Sequence, residues 1–305
     1  MSQTARLPNA DPLYLAPPPD RPHYATGMLL DAADFRDEQT YHRSRLAQAV
    51  AFLSGGGTLA GLRVTHAPGS GTAAEEIQIA AGVAIDRIGR LVELPRPACL
   101  RLQRWWDGHA GGDGDPLRQA TYDDPGGLLS QRARDSAGND GLPPIPGRAV
   151  IADVFLRFLA CPRGYTPSFA DGPFDALDAV ATSRLRDAYE LQLVLRPDLT
   201  EGPGSLPDRG PDFDAIADDS DRVAAMQEAV LDAWPVRGRA GAPNELPPLQ
   251  EHPVGIDPTA QFLARIAIPV DGANPPARDG LAVVVDNAAR RFVPSSQLIQ
   301  RWVGL

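Results

Sequence analysis

Ile77-Gln78-Ile79-Ala80-Ala81-Gly82-Val83-Ala84-Ile85-Asp86-Arg87-Ile88-Gly89-Arg90-Leu91-Val92-Glu93-Leu94 is the stretch that decides the fold class. Three short runs of strand character, 77–79, 83–85 and 91–94, are separated by Gly82 and by a turn over 86–90 that contains Gly89. With Leu62-Arg63-Val64-Thr65 upstream they predict a small antiparallel sheet. Just before it, residues 34–53 place Phe35, His42, Leu46, Ala49, Val50 and Leu53 at helical spacing, with Arg36, Asp37, Arg43 and Arg45 on the other faces. Asp34 is the expected N-cap, with Asp37 three residues on, and Gly55-Gly56-Gly57 is the expected stop. The helix is expected to pack on the sheet.

A second group of strands follows at 149–159, 189–195, 262–270 and 281–285, where Tyr189-Glu190-Leu191-Gln192-Leu193-Val194-Leu195 alternates with period two. Ser220 is a candidate cap for a helix bearing Val223, Met226, Val230 and Trp234. Ser295 or Ser296 is one for a short helix with Leu298, Ile299, Trp302 and Val303. The fold class is therefore α+β and β-rich, an N-terminal helix packed on a small antiparallel sheet, followed by a second β unit with peripheral helices. The divisions are an extended Pro-rich arm at 1–23, the helix-plus-sheet unit at 24–105, a Gly/Pro/Asp-rich loop at 106–147 and the second β unit at 148–305. Residues 196–210 and 237–258 also read as loops. No internal repeat or heptad pattern encodes a fibre shaft.

The arm reads Asp11-Pro12-Leu13-Tyr14-Leu15-Ala16-Pro17-Pro18-Pro19, a polyproline-like segment with an apolar knuckle at Leu13, Tyr14 and Leu15. Packing on its own domain and packing on a neighbour are equal readings, so these three residues and Trp302 are the candidate partner interface. For Trp302, ordinary intramolecular packing is slightly favoured.

Net charge of -10 and a pI near 5.0 argue against nucleic acid or anionic membrane as the main partner. All 29 basic residues are Arg, which reads as coding bias and carries no function. Cys99 and Cys161, each in or beside an apolar run, are expected to be small buried hydrophobes, not a disulfide framework. The N-terminus has no secretory h-region and no run approaches a membrane span, so cytoplasmic synthesis and no membrane insertion are expected.

Signs of chemistry are weak. Gly55, Gly57 and Ala60 loosely match a dinucleotide fingerprint, but here it follows a helix and leads into a strand, the reverse of what pyrophosphate binding at a helix N-terminus needs; a helix stop plus tight turn is the reading. The 107–115 loop offers oxygen ligands without the spacing or closing Glu of an EF-hand, so a solvated loop is favoured over a cation site. His23, His42, His66, His109 and His252 form no zinc motif. Ser70 lacks the G-x-S-x-G frame. Asp212, Asp214, Asp218, Asp219 and Asp221 are read as a solvated helix N-terminus, where the dipole favours negative charge. No catalytic residue, cofactor or metal is expected.

Several blocks resemble a known family: Tyr24-Ala25-Thr26-Gly27-Met28-Leu29-Leu30, Asp34-Phe35, Glu38-Gln39-Thr40-Tyr41-His42, Gly61-Leu62-Arg63-Val64, and 77–86 with Gly89-Arg90. Later pieces also match, at 149–161, Ser183-Arg184-Leu185-Arg186 leading into Tyr189-Glu190-Leu191, and Asp286-Asn287 followed by Arg290-Arg291. In their order they resemble bacterial proteins of contractile phage-tail-like injection systems, in baseplate or tail-fibre contexts. The resemblance implies assembly instead of catalysis. It implies other tail or baseplate proteins as partners, with self-association open, and a place in a particle that lysis can release. The chain lacks a long downstream fibre region, so a compact baseplate-associated or adaptor subunit is expected, not an enzyme. The alternative is a carbohydrate or cell-surface binding module using Trp105 and Trp106, which in a strand would face opposite sides, one of them core. A hydrolase using His109 or His252 is a third reading.

Overall fold

The computed structural model describes residues 11–15, 17, 19–111, 115–139, 141–167, 180–200, 205–208, 210–234 and 246–304. The fold is α+β and β-rich, built from an N-terminal helix, antiparallel sheets and further short helices. Helix α1 spans Ala32–Ser54. Its N-cap is Asp31 and not Asp34: the Asp31 carboxylate accepts from the Ala33 and Asp34 amides, and Asp34, as the third helical residue, accepts from the Asp31 amide. Gly55 ends the helix at φ 71, as expected.

The apolar stripe of α1 does not face the sheet. Phe35, Leu46, Phe52 and Leu53 are exposed, and Ala47 alone of the helix is fully buried. The helix rests there on the turn between two strands: a Cβ on Gly89, at φ 92, would stand 1.7 Å from the Ala47 carbonyl oxygen. Only glycine permits that approach and that backbone angle.

Two three-stranded sheets follow. One is ordered β1 (Gly57–Gly61), β4 (Gly82–Ile85), β5 (Leu91–Leu94), and the other β2 (Val64–Ala67), β3 (Glu76–Ile79), β6 (Ala98–Arg101), all antiparallel. β1 was hidden in the glycine run read as a turn. Between β1 and β2 the buried Leu62 takes φ 54, and Asn287 closes on Val64, accepting its N–H at 2.9 Å and donating to its carbonyl at 2.8 Å.

Residues 106–147 are not simply a loop. They hold the last two residues of α2 (Leu102–Asp107), then α3 (Pro116–Gln119), β7 (Thr121–Asp123) and α4 (Gln131–Ser136), and bury Leu117, Ala120, Leu128 and Leu129. The large sheet is centred on β8 (Arg148–Pro167). β10 (Gln261–Pro269) pairs with its inner half and carries β11 (Val284–Asp286), while β7 and β9 (Val180–Leu195) also pair with β8. The principal core runs from Leu62, Ile77 and Leu94 through Val154 and Leu156 to Leu263 and Ile266, so it joins both β units. α5 (Asp219–Leu231) is capped by Asp218 and not Ser220, and α6 (Ser296–Trp302) by Ser295.

Charge is buried inside this sheet. The fully buried Asp153 on β8 accepts from Arg265 on β10 at 2.8 and 2.9 Å and from Arg196. Removing one partner of such a set strands the others in low dielectric, at a cost of about 3–5 kcal/mol. Urea unfolding of Asp153→Ala is expected to lose about that much stability, and an unchanged midpoint would refute the arrangement.

Candidate functional site

The features that stand out chemically lie on the surface. α1, α5 and α6 all leave large apolar side chains exposed. On α5, Val223, Met226, Val230 and Leu231 are exposed, and on α6, Leu298, Ile299 and Trp302, the last at 86%. Trp302 is thus not packed within its own chain, contrary to the favoured reading.

One contact links the end of α1 to the end of α5. Phe52 near the end of α1 stacks on Trp234 just past α5, with ring centroids 5.4 Å apart and planes 11° apart. β1 begins three residues after α1 ends, and its Thr58 bridges to Phe292, which precedes α6; the Val293 amide donates to the Thr58 carbonyl at 2.9 Å. Phe52, Leu53, Trp234 and Phe292 are all largely exposed.

The arm divides. Leu13 lies in a short 3-10 turn, Pro12–Leu15, and is buried with Ala47, Ile88 and Leu246, so it serves its own chain and not a partner. Tyr14 is half-buried and Leu15 is exposed. Asp11 binds the arm down by accepting from Arg43 at 3.2 Å and Arg90 at 3.1 Å. Arg90 also donates to Asp86 and Thr259 and lies 4.5 Å over the Phe158 ring. Beside this knot, a groove of about 420 Å³ runs between α1 (Ala33, Arg36, Thr40) and the outer strands (Ala160, Leu185, Asp187).

Trp105 and Trp106 sit on α2, not on a strand. Trp106 is buried in the core, and Trp105 is half-buried against it with its indole N–H donating to the Leu193 carbonyl at 2.8 Å. Trp106 is therefore core, and Trp105 also lies beside His109, with ring centroids 4.7 Å apart.

The histidines are occupied. His66 accepts the Val283 amide on Nδ1 at 3.3 Å, so its Nε2–H faces Glu75 at 2.7 Å. Arg278, through its hydrogen bonds to Glu75, holds that carboxyl below its ordinary range. His252 accepts the Leu249 amide on Nδ1 and donates from Nε2 to the Ala260 carbonyl. His109 bonds the Trp105 carbonyl. With both nitrogens of His66 and His252 engaged, neither is placed to carry a proton to a substrate.

Among the described residues no group of three His, Cys, Asp or Glu side chains could hold a metal ion. Asp107 is bonded by Gln103 and Asp115 caps α3, while 112–114 of that loop lie outside the described residues. Cys99 is exposed and Cys161 half-buried, so neither is the buried hydrophobe expected from its neighbours. No described helix is long and apolar enough to cross a membrane. No protein-family model matches the chain, and no curated protein matches it.

Burial lowers the pKa of His252 below its ordinary value. The native state therefore resists taking up a proton that the unfolded chain accepts below about pH 6.5. Stability is complete above that pH and falls as pH drops toward the depressed native value. His252→Gln, which keeps the Nε2 donor, is expected to show a smaller loss of thermal stability between pH 7.5 and 5.5 (on the order of two pH units spanning the unfolded pKa); an equal loss in both proteins would contradict this.

Proposed function

We propose that this chain is a structural subunit of a contractile phage-tail-like particle, in a baseplate-associated or fibre-adaptor position, and that it works by protein–protein assembly. The observation that carries the reading is the number of large apolar side chains that α1, α5 and α6 leave exposed, together with the exposed Phe52–Trp234 stack. Monomeric proteins rarely leave a contiguous apolar area beyond a few hundred Å² to water. Aromatic side chains of this kind are the usual anchors of protein interfaces. The family resemblance of the sequence blocks supplies the kind of particle. Other tail or baseplate proteins are the partners, and synthesis in the cytoplasm precedes assembly and release.

Tagged chain expressed in its native host is expected to co-sediment with tail-like particles and to appear in their mass spectra. Leu53→Glu combined with Trp302→Glu changes exposed residues, so the fold is expected to survive by circular dichroism while incorporation drops at least about tenfold, as for truncated interface anchors. Particles that form without this chain, or that take up the variant equally well, would remove the proposal.

A further inference from the structure

The outer halves of β8 and β9 form a two-stranded ribbon beyond the end of β10 pairing, from the Leu159–Ala188 pair to the Pro167–Val180 pair. At about 3.3 Å per residue it extends roughly 25–30 Å. Cys161 pairs with Arg186, Arg163 with Arg184 and Tyr165 with Thr182. Opposed and alternate residues share a face of a sheet, so Arg163, Arg184 and Arg186 lie on one side. Residues of the other side, Ala160, Leu185 and Asp187, line the groove against α1, so the arginine face looks away from the body.

All three arginines are exposed, and among the described residues none of them enters an ion pair. Arg163 and Arg184 stand directly opposite each other, a like-charge placement that is unfavourable unless anions neutralise it. The chain that carries this cationic face has a net charge of -10. Its most acidic described surface is the approach to α5, where Asp212, Asp214, Asp218, Asp219 and Asp221 are all exposed. Guanidinium groups engage carboxylates through paired, directional hydrogen bonds.

We propose that the arginine face of the β8–β9 ribbon docks on the acidic approach to α5 of a second copy of this chain. The two patches differ, so a single contact of this kind extends head-to-tail into a ring or a row of subunits, and two made reciprocally close a two-fold dimer. It rests on charge, separately from the apolar helix faces, so its failure leaves the assembly reading standing and the reverse also holds. The segment between the two strands carries Asp171, Asp175 and Asp178 and lies outside the described residues.

Sedimentation velocity of the purified full chain is the test. At low salt the wild-type mass is expected to rise with concentration, and to fall back to monomer when salt screens the charges. Arg184→Glu with Arg186→Glu, and separately Asp219→Arg with Asp221→Arg, are each expected to weaken association at least about tenfold. Mixing the two variants restores it, because each then offers the other an intact complementary patch. If the first variant misfolds by circular dichroism, Arg184→Gln with Arg186→Gln is expected to weaken association in its place. A wild type that stays monomeric at low salt, variants that associate like wild type, or a mixture that does not recover each overturns the proposal. So does a ribbon that shifts a single-stranded oligonucleotide in a gel while failing to self-associate.

Discussion

The carboxylate of Asp153 holds the body of this protein together. It lies in the most deeply buried part of β8 and faces two arginines, Arg265 from β10 and Arg196 from the end of β9. Each arginine then reaches further. Arg265 donates to the Leu128 carbonyl and to Ser205, and Arg196 to the Glu251 carbonyl and to Asp198. Three segments with little regular structure are thereby fixed to the sheet by one buried charge set. Such a set contributes little net stability over an apolar replacement, because desolvating the ions offsets most of their attraction. What it does supply is geometry: only the observed register of β10 against β8 brings Arg265 opposite Asp153.

Outward from that body, the contacts thin quickly. α1 is held by Ala47 against Leu13, Ile88 and Leu246, by the close approach of Gly89, and by Asp11 bridging Arg43 and Arg90. α5 and α6 have no fully buried residue. Helices of 7 to 23 residues draw most of their stability from packing an apolar face, and less from intrinsic propensity. Here large apolar side chains are turned to water instead.

The sequence made some of this legible. The period of 34–53 identifies a helix, and Gly55 its end; the strand runs at 77–94 and 149–159 fall where the structure has strands. Period alone, however, says that a stripe exists and not what covers it, which is why the exposure of Leu46 and Leu53 was not foreseen. β1 escaped because Gly57 and Gly61 are poor strand formers, required here by close backbone approaches to Arg291 and Ala81. Trp105 and Trp106 were misplaced because β6 passes directly into α2 without a side-chain cap to mark the change. The charged knots at Asp86–Arg90 and Asp153–Arg265 join residues 4 and 112 apart in the chain; the first was visible as a turn, and the second had no local signal at all. The arginine face of the ribbon could not be seen before the register of β8 on β9 put Arg163 across from Arg184.

The surface divides its tasks between two kinds of chemistry. Apolar helix faces gain free energy from burial without regard to direction, so they supply affinity and tolerate many partners. A ribbon that presents three guanidinium groups on one side supplies the opposite: modest energy, strong orientation, and rejection of any surface that is not acidic. In the assembly proposed above, a subunit that must take one position among many similar neighbours needs both. The ribbon is suited to the directional part because its root is fixed in the core by Val154, Leu156 and Leu193 while its arginines stand clear of the body. A rigid base and an exposed charged end let a contact made far from the core fix the orientation of the whole chain.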